Sequence, residues 1–329
     1  MRLMASLLLV PALGTAAAPP AVAQRVEITE WTVPWENSRP RDPYVDSRGR
    51  VWFVGQRSDY VAVLEPETAE FTRYELEPGA GPHNLIVDGD GFVWYAGNRA
   101  AHIGRLDPAS GAITKFPMPD PAASDPHTLV FDHDGDIWFT VQGGNFVGKL
   151  EVATSEVRLV AVPTPAARPY GIVIDSKNAP WIAEFGANKI ATVDPSSMKL
   201  TEFTLPRDVA RPRRLVLTSD DQIWYVDFVG GHLGHLDPTT GAVQEWVTPG
   251  GTRSGPYGLA VDNADRIWFV ESNEDPNRFV GFDTKSFEFF SNTEIESGGG
   301  TVRHMYFHEP TGTVWFGTDA NTIGRARLP

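Results

Sequence analysis

Tryptophan returns at positions 52, 94, 138, 181, 224, 268 and 315, at intervals of 42 to 47 residues. Around each the chain repeats one phrase: an apolar run, a turn rich in Asp, Asn and Gly, then a second run carrying the Trp. Examples are GPHNLIVDGDGFVWYAGN (81–98), DPHTLVFDHDGDIWFTVQ (125–142) and RPYGIVIDSKNAPWIAEF (168–185). Self-similarity at this period marks stacked supersecondary units, and seven of them are visible.

Each unit holds four short β-type segments; in the second they are NLIVD, FVWYAG, HIGRLD and AITKFPMP. The runs are rich in β-branched and aromatic residues and are punctuated by Asp, Asn, Gly and Pro, as antiparallel hairpins require. Seven four-stranded meanders predict an all-β fold, a seven-bladed β-propeller, because radial arrangement leaves only short protected edges. The last unit is one strand short. It stops at TIGRARLP, whereas VEITEWTVP near the start matches the fourth-strand phrase LTEFTLP (200–206), so the N-terminal strand is expected to complete the last blade and latch the ring. The Trp residues recur in every unit and are therefore expected to be blade-to-blade packing.

The opening MRLMASLLLVPALGTAAAPPAVAQ reads as a secretory signal of residues 1–23 cut before Gln24, leaving 24–329 as one propeller domain. The expected address is periplasmic or secreted. No later run is apolar enough to span a bilayer, and with no Cys a disulfide cannot hold the ring shut. The 28 basic and 42 acidic residues give a formal charge of −14, and −15 once the leader and its single Arg are gone. That balance, with no basic run, speaks against nucleic acid. A monomer is expected, with a small-molecule or peptide ligand as partner.

The letter that varies is the one after the Pro that opens each unit: Arg41, His83, His127, Tyr170, Arg213, Tyr257 and, after Val302, Arg303. These positions begin the innermost strand, so they are expected to ring the channel mouth, facing solvent and one another. The next positions add Asp42, Asn84, Thr128, Gly171, Arg214, Gly258 and His304; three residues after the Trp come Glu184, Asp227 and Glu271. His, Arg, Tyr and carboxylates at one face are the mixture from which acid–base or metal-assisted sites are made, and also what a solvated channel mouth would carry. The acidic turns Asp88-Gly89-Asp90-Gly91 and Asp132-His133-Asp134-Gly135 lack the ligand series of a calcium loop and read as tight turns. His102, His133, His232, His235 and His308 lie on other strands and turns and read as structural.

The wording RPYGIVIDSKNAPWIAEFGANKIATVDPSSMKLTEFTLP, whose Pro-Tyr-Gly-Ile, Trp-Ile-Ala-Glu and Asn-Lys-Ile-Ala are close to Pro-His/Tyr-Gly-Ile, Trp-Phe-x-Glu and Asn-Lys-Ile-Gly phrases, resembles the virginiamycin B lyase (streptogramin lyase) family over residues 26 to 328. The resemblance implies a seven-bladed propeller that opens type B streptogramins by elimination at an ester bond, with Mg2+ at the channel mouth. It also implies a site made by a Pro-His of the sixth blade, a Glu-Pro-His opening the last blade and a Glu after that blade's Trp strand. At those places this chain has Tyr257, Thr301-Val302-Arg303 and Thr318 or Asp319, with His304 one position on.

A second sector carries the pattern more fully: His83, then Asp125-Pro126-His127, then Gln142. On that placement His127 abstracts a proton, His83 orients the substrate, and Asp125 with Gln142 holds a cation. Tyr257 and His304 are the catalytic candidates of the C-terminal sector; Arg41, Asn84, Tyr170, Arg213, Arg303, Glu184, Asp227 and Glu271 are the ligand-binding ones. The expected function is a metal-assisted C–O lyase acting on a cyclic ester or depsipeptide. The alternative is a propeller that binds a protein or small ligand without chemistry. A sugar-lactonase-type propeller would need a carboxylate-rich calcium site, which these residues do not assemble.

Overall fold

The structure is a computed structural model that describes residues 24–329; the expected leader lies outside the described residues. Seven four-stranded antiparallel sheets follow one another around a ring. The first blade runs from Pro40 to Glu75 and the sixth from Pro256 to Glu294. The seventh joins Val302–His308, Thr313–Thr318 and Thr322–Arg327 to the N-terminal strand Glu27–Thr32.

That N-terminal strand is the expected latch. It pairs antiparallel with Thr322–Arg327, Trp31 opposite Ile323, and the Trp31 ring stacks on Trp315 at 5.4 Å. The Asn321 amide donates to the carbonyls of Val33 and Trp35, each at 3.0 Å. The preceding residues also bind the sixth blade: the Gln24 and Val26 amides donate to the Phe290 carbonyl and to Thr293 Oγ1. A segment remote in sequence thus bridges two blades and covers an edge that would otherwise present unpaired backbone groups.

The Trp residues are core, between 0 and 6 % exposed. Their partner explains the acidic turns. In five blades an Asp six residues earlier accepts the indole N–H on one oxygen: Asp46 to Trp52, Asp88 to Trp94, Asp132 to Trp138, Asp175 to Trp181 and Asp262 to Trp268, at 2.8–3.2 Å. The other oxygen accepts two backbone amides of the turn, as Asp132 does from Asp134 and Asp136. The carboxylate is consumed by the hairpin it closes. Thr218 stands at this position in the fifth blade and Glu309 in the seventh, where the Trp315 N–H is left without a partner.

Candidate functional site

In every blade the ladder between the first two strands slips just after the inner strand opens, between Pro126 and Leu129 for example. A bulge releases side chains from the alternation of the sheet, and here the released residues meet across the channel. Asp42 takes a left-handed backbone (φ 50°), a conformation Asp tolerates better than most residues. Gly171 is required by closeness: a Cβ there would lie 2.9 Å from the Arg213 carbonyl oxygen.

The seven ring positions are not a solvated rim. Arg41, His83, His127, Tyr170 and Tyr257 are only 1–6 % exposed and plug the mouth, while Arg213 and Arg303 stay partly exposed. Side chains long enough to reach over a narrow channel bury one another there, which position on the strand alone does not reveal. The His83 and His127 rings lie 3.5 Å apart between centroids, and His127 lies 4.1 Å from Tyr170. His127 Nδ1 is 2.9 Å from Thr128 Oγ1, whereas His127 Nε2 and His83 Nδ1 are buried without a partner. Burial first, then Arg41 and Arg214, hold both imidazoles well below the usual histidine range, so they are neutral bases at neutral pH.

One layer deeper a charged tie spans the ring. Asp42 accepts from Arg41 Nε at 3.0 Å, from the Asn84 amide at 3.0 Å and from Arg214 Nη2 at 3.2 Å. Arg214 also donates to the Arg303 carbonyl at 3.0 Å and to Thr128 Oγ1 at 3.3 Å, joining the first, third, fifth and seventh blades. Burial opposes ionisation of Asp42, but the two guanidiniums outweigh it and keep its carboxyl below the ordinary range.

Arg213 stands differently. Its guanidinium carbon lies 3.8 Å from the Tyr257 centroid, 4.3 Å from Phe228, 4.4 Å from Phe185 and 5.0 Å from Tyr170, and it makes no ion pair among the described residues. Its Nε is buried and unpartnered. The Tyr170 and Tyr257 hydroxyls hydrogen-bond to each other. Burial raises the pKa of a phenol, yet Arg213, Arg41 and Arg214 together bring Tyr170 below the usual tyrosine value.

The acids three residues after the Trp do not join this group. Glu184 is fully buried beside Glu202 and Lys189 of its own blade, and burial together with Glu202 pushes its pKa up to about 8. Asp227 pairs with Arg207 at 2.6 Å and Glu271 accepts from the Gly250 amide at 2.6 Å. Successive strand residues point to opposite sides, so it is the fourth residue after the Trp that turns toward the mouth. There Gln56 accepts from Arg41, Phe185 and Phe228 flank Arg213, and Asp319 pairs with Arg303. Counting one residue further along the repeat would have found this second ring, of which only Gln142 and Asp319 figured in the sequence reading.

Both Asp125 oxygens are occupied by the Gly143 and Gly144 amides, at 2.5 and 2.9 Å. Asp42 is saturated by two arginines and Asn84, and Asp319 by Arg303 and Arg39. Among the described residues no group of three or more His, Asp or Glu is arranged to hold a metal ion. Mg2+ demands several oxygen ligands in near-octahedral order, and the carboxylates of Asp42, Asp125 and Asp319 are already engaged by guanidiniums and amides. The residues present do not fit Mg2+.

The virginiamycin B lyase family model matches residues 19–279. The chain belongs to the virginiamycin B lyase family. Among solved structures, the selenomethionine-substituted virginiamycin B lyase from Staphylococcus aureus superposes with a TM-score of 0.84 at 24% identity, covering 93% of this chain and 100% of that one. A streptogramin B lyase gives a TM-score of 0.83 at 25% identity, covering 92% and 98%. A catalytically inactive S. aureus virginiamycin B lyase with quinupristin gives 0.83 at 24%, covering 93% and 100%. No curated protein sequence matches the chain. This virginiamycin B lyase family member shares the propeller of those structures; at the places where the resemblance puts the family's site it carries Tyr257, Thr301-Val302-Arg303 and Thr318 or Asp319. No helix among the described residues is long and apolar enough to cross a membrane.

Proposed function

We propose that this propeller, exported as its N-terminal segment suggests, binds a small molecule or peptide bearing a carboxylate at the channel mouth. The observation that carries this reading is Arg213: a partly exposed guanidinium, fixed by four aromatic rings and lacking an acidic partner. Arginine presents a planar fork matched to carboxylate, and the rings hold it in place without neutralising it. The aromatic faces of Phe185 and Phe228 favour a ligand with an apolar group beside its acid.

A second reading, ring-opening elimination at an ester, is favoured by Tyr170. A base takes the proton next to the ester's β-carbon, its electron pair forms the carbon–carbon double bond, and the C–O bond breaks to release a carboxylate. The ionised phenol of Tyr170, its pKa lowered by the arginines, suits the first step, and Arg213 suits the departing carboxylate. Neither step passes through a metal ion.

The test uses residues 24–329 and two probes. A tripeptide with a hydrophobic C-terminal residue should bind saturably by calorimetry, its C-terminal amide at least tenfold more weakly. A type B streptogramin, incubated with Mg2+ or with chelator and analysed by mass spectrometry, gives a linear product in both cases if the second reading holds. Equal affinity for acid and amide, or neither binding, overturns the carboxylate reading. A product that requires Mg2+ overturns the metal-free route.

A further inference from the structure

Beneath the plug the inner strands enclose a lumen of about 260 Å³ that the mouth does not use. Its ceiling is the layer of Asn84, Thr128, Arg214 and His304; its walls are apolar, with Ile86, Val130, Val173 and Val216 among them. Val130, Val173, Val216, Val261 and Phe307, toward the far ends of these strands, are partly exposed, so the lumen opens at the turn face. The plug of His83, His127, Tyr170 and Tyr257 separates it from the mouth.

Two features of the ceiling point to an occupant. The buried tie of Arg41, Asp42 and Arg214 holds two guanidiniums and one carboxylate, an excess of one positive charge. Arg214 uses three N–H donors in its contacts, to Asp42, Thr128 and the Arg303 carbonyl, of the five a guanidinium has. Beside it, His304 lines the lumen with a buried Nδ1 that has no partner. A neutral imidazole can place its proton on that nitrogen and donate it. An anion at this height would meet the excess charge and both sets of unused donors, whereas a cation would meet only repulsion.

We infer that the lumen is a second binding site, for an amphipathic monocarboxylate whose head rests against Arg214 and His304 and whose chain fills the apolar bore. An apolar cavity of about 150 Å³ takes up benzene, so a bore of this volume accommodates an unbranched chain of roughly eight carbons. The site is entered from the face opposite the mouth and stands independently of the ligand proposed there.

The experiment is calorimetry on residues 24–329 with butanoate, hexanoate, octanoate and decanoate, and with octanol and octylamine. Octanoate should bind at one site per chain, octanol at least tenfold more weakly and octylamine not at all. Affinity should rise about fourfold per added methylene up to the length of the bore, the equivalent of about 0.8 kcal/mol each, and then level off. Val216→Phe, which narrows the bore, should abolish octanoate binding while the thermal transition remains cooperative. Octanoate and the mouth tripeptide should bind additively. The inference is overturned by no saturable octanoate binding, by equal affinity for octanol, by an unchanged Val216→Phe titration in a folded variant, or by competition with the tripeptide. The chain-length and head-group series reads out on the unmodified protein, so a variant that fails to fold does not shelter the inference.

Discussion

At the turn end of the inner hairpins, Asp132 and its counterparts in four other blades each bind an indole N–H and two turn amides, leaving no oxygen to spare. At the mouth end of the same strands the contacts differ from blade to blade: two imidazoles face each other, a guanidinium lies on a tyrosine, and Arg214 reaches to Asp42 across the ring. The two ends lie one strand length apart and are built from the same repeat. Where five blades repeat one Asp–Trp pairing, the polar groups are matched within the blade. Where the blades converge on one volume, matching must be made between unlike residues, and unpartnered nitrogens remain on His83, His127, His304 and Arg213. Those remainders are what a ligand can use.

The ring as a whole depends on the latch, so deleting residues 25–34 should cost more than any single substitution, through the lost strand, the Trp31–Trp315 stack and a bare sheet edge. Thermal melting and light scattering would read it, and an unchanged transition would mean that the ring closes without its N-terminus.

Both ends of the inner strands should be needed for the fold. Trp138→Ala should lower stability by about 3–5 kcal/mol, as large core truncations do. Asp42→Asn should cost a similar 3–5 kcal/mol, because it strands Arg41 and Arg214 as buried charges. Denaturant unfolding of the two variants side by side would sharpen the contrast. A cost for Asp42→Asn below about 1 kcal/mol would mean that the tie is screened by water like a surface pair.

The mouth should also respond to acid. His83 and His127 have folded-state pKa values depressed below the unfolded value near 6.5, so the unfolded chain binds more protons as the pH falls beneath it. Stability is therefore intact above pH 6.5 and declines below it, by about 1.4 kcal/mol per pH unit for each histidine that stays neutral in the fold. The double variant His83→Gln/His127→Gln should flatten the slope between pH 6 and 5. An identical slope would place the acid sensitivity elsewhere.

Smallest in stability is Arg213→Met. Keeping a long side chain among four rings but removing the charge should cost only about 1 kcal/mol, yet weaken the mouth carboxylate at least tenfold. Full retention of affinity would remove Arg213 from the binding site.

The propeller and its closure were legible because they depend on what recurs: Trp at a fixed period, hairpin punctuation, and one phrase displaced from the end to the beginning. His83 and His127 were legible as neighbours for the same reason, occupying equivalent places on adjacent blades. The function of the acidic turns was half legible, since the turn motif reads locally but the bond from Asp to an indole six residues away does not.

Blade count, the buried tryptophans, the N-terminal strand as the missing fourth strand and the identity of the seven variable positions all follow from the amino-acid order alone. It took the assembled ring to show that five of those positions plug the mouth instead of lining it, that the fourth residue after the Trp and not the third faces inward, and that Asp42 serves Arg214 from 172 residues away. The physical reason is one of range. Periodicity and turn chemistry act within a hairpin and are written in every copy of the repeat, whereas the mouth is made by seven hairpins meeting at an axis. Which side chains touch there depends on the channel's width and on the slip of each ladder, and the sequence of a single blade contains neither.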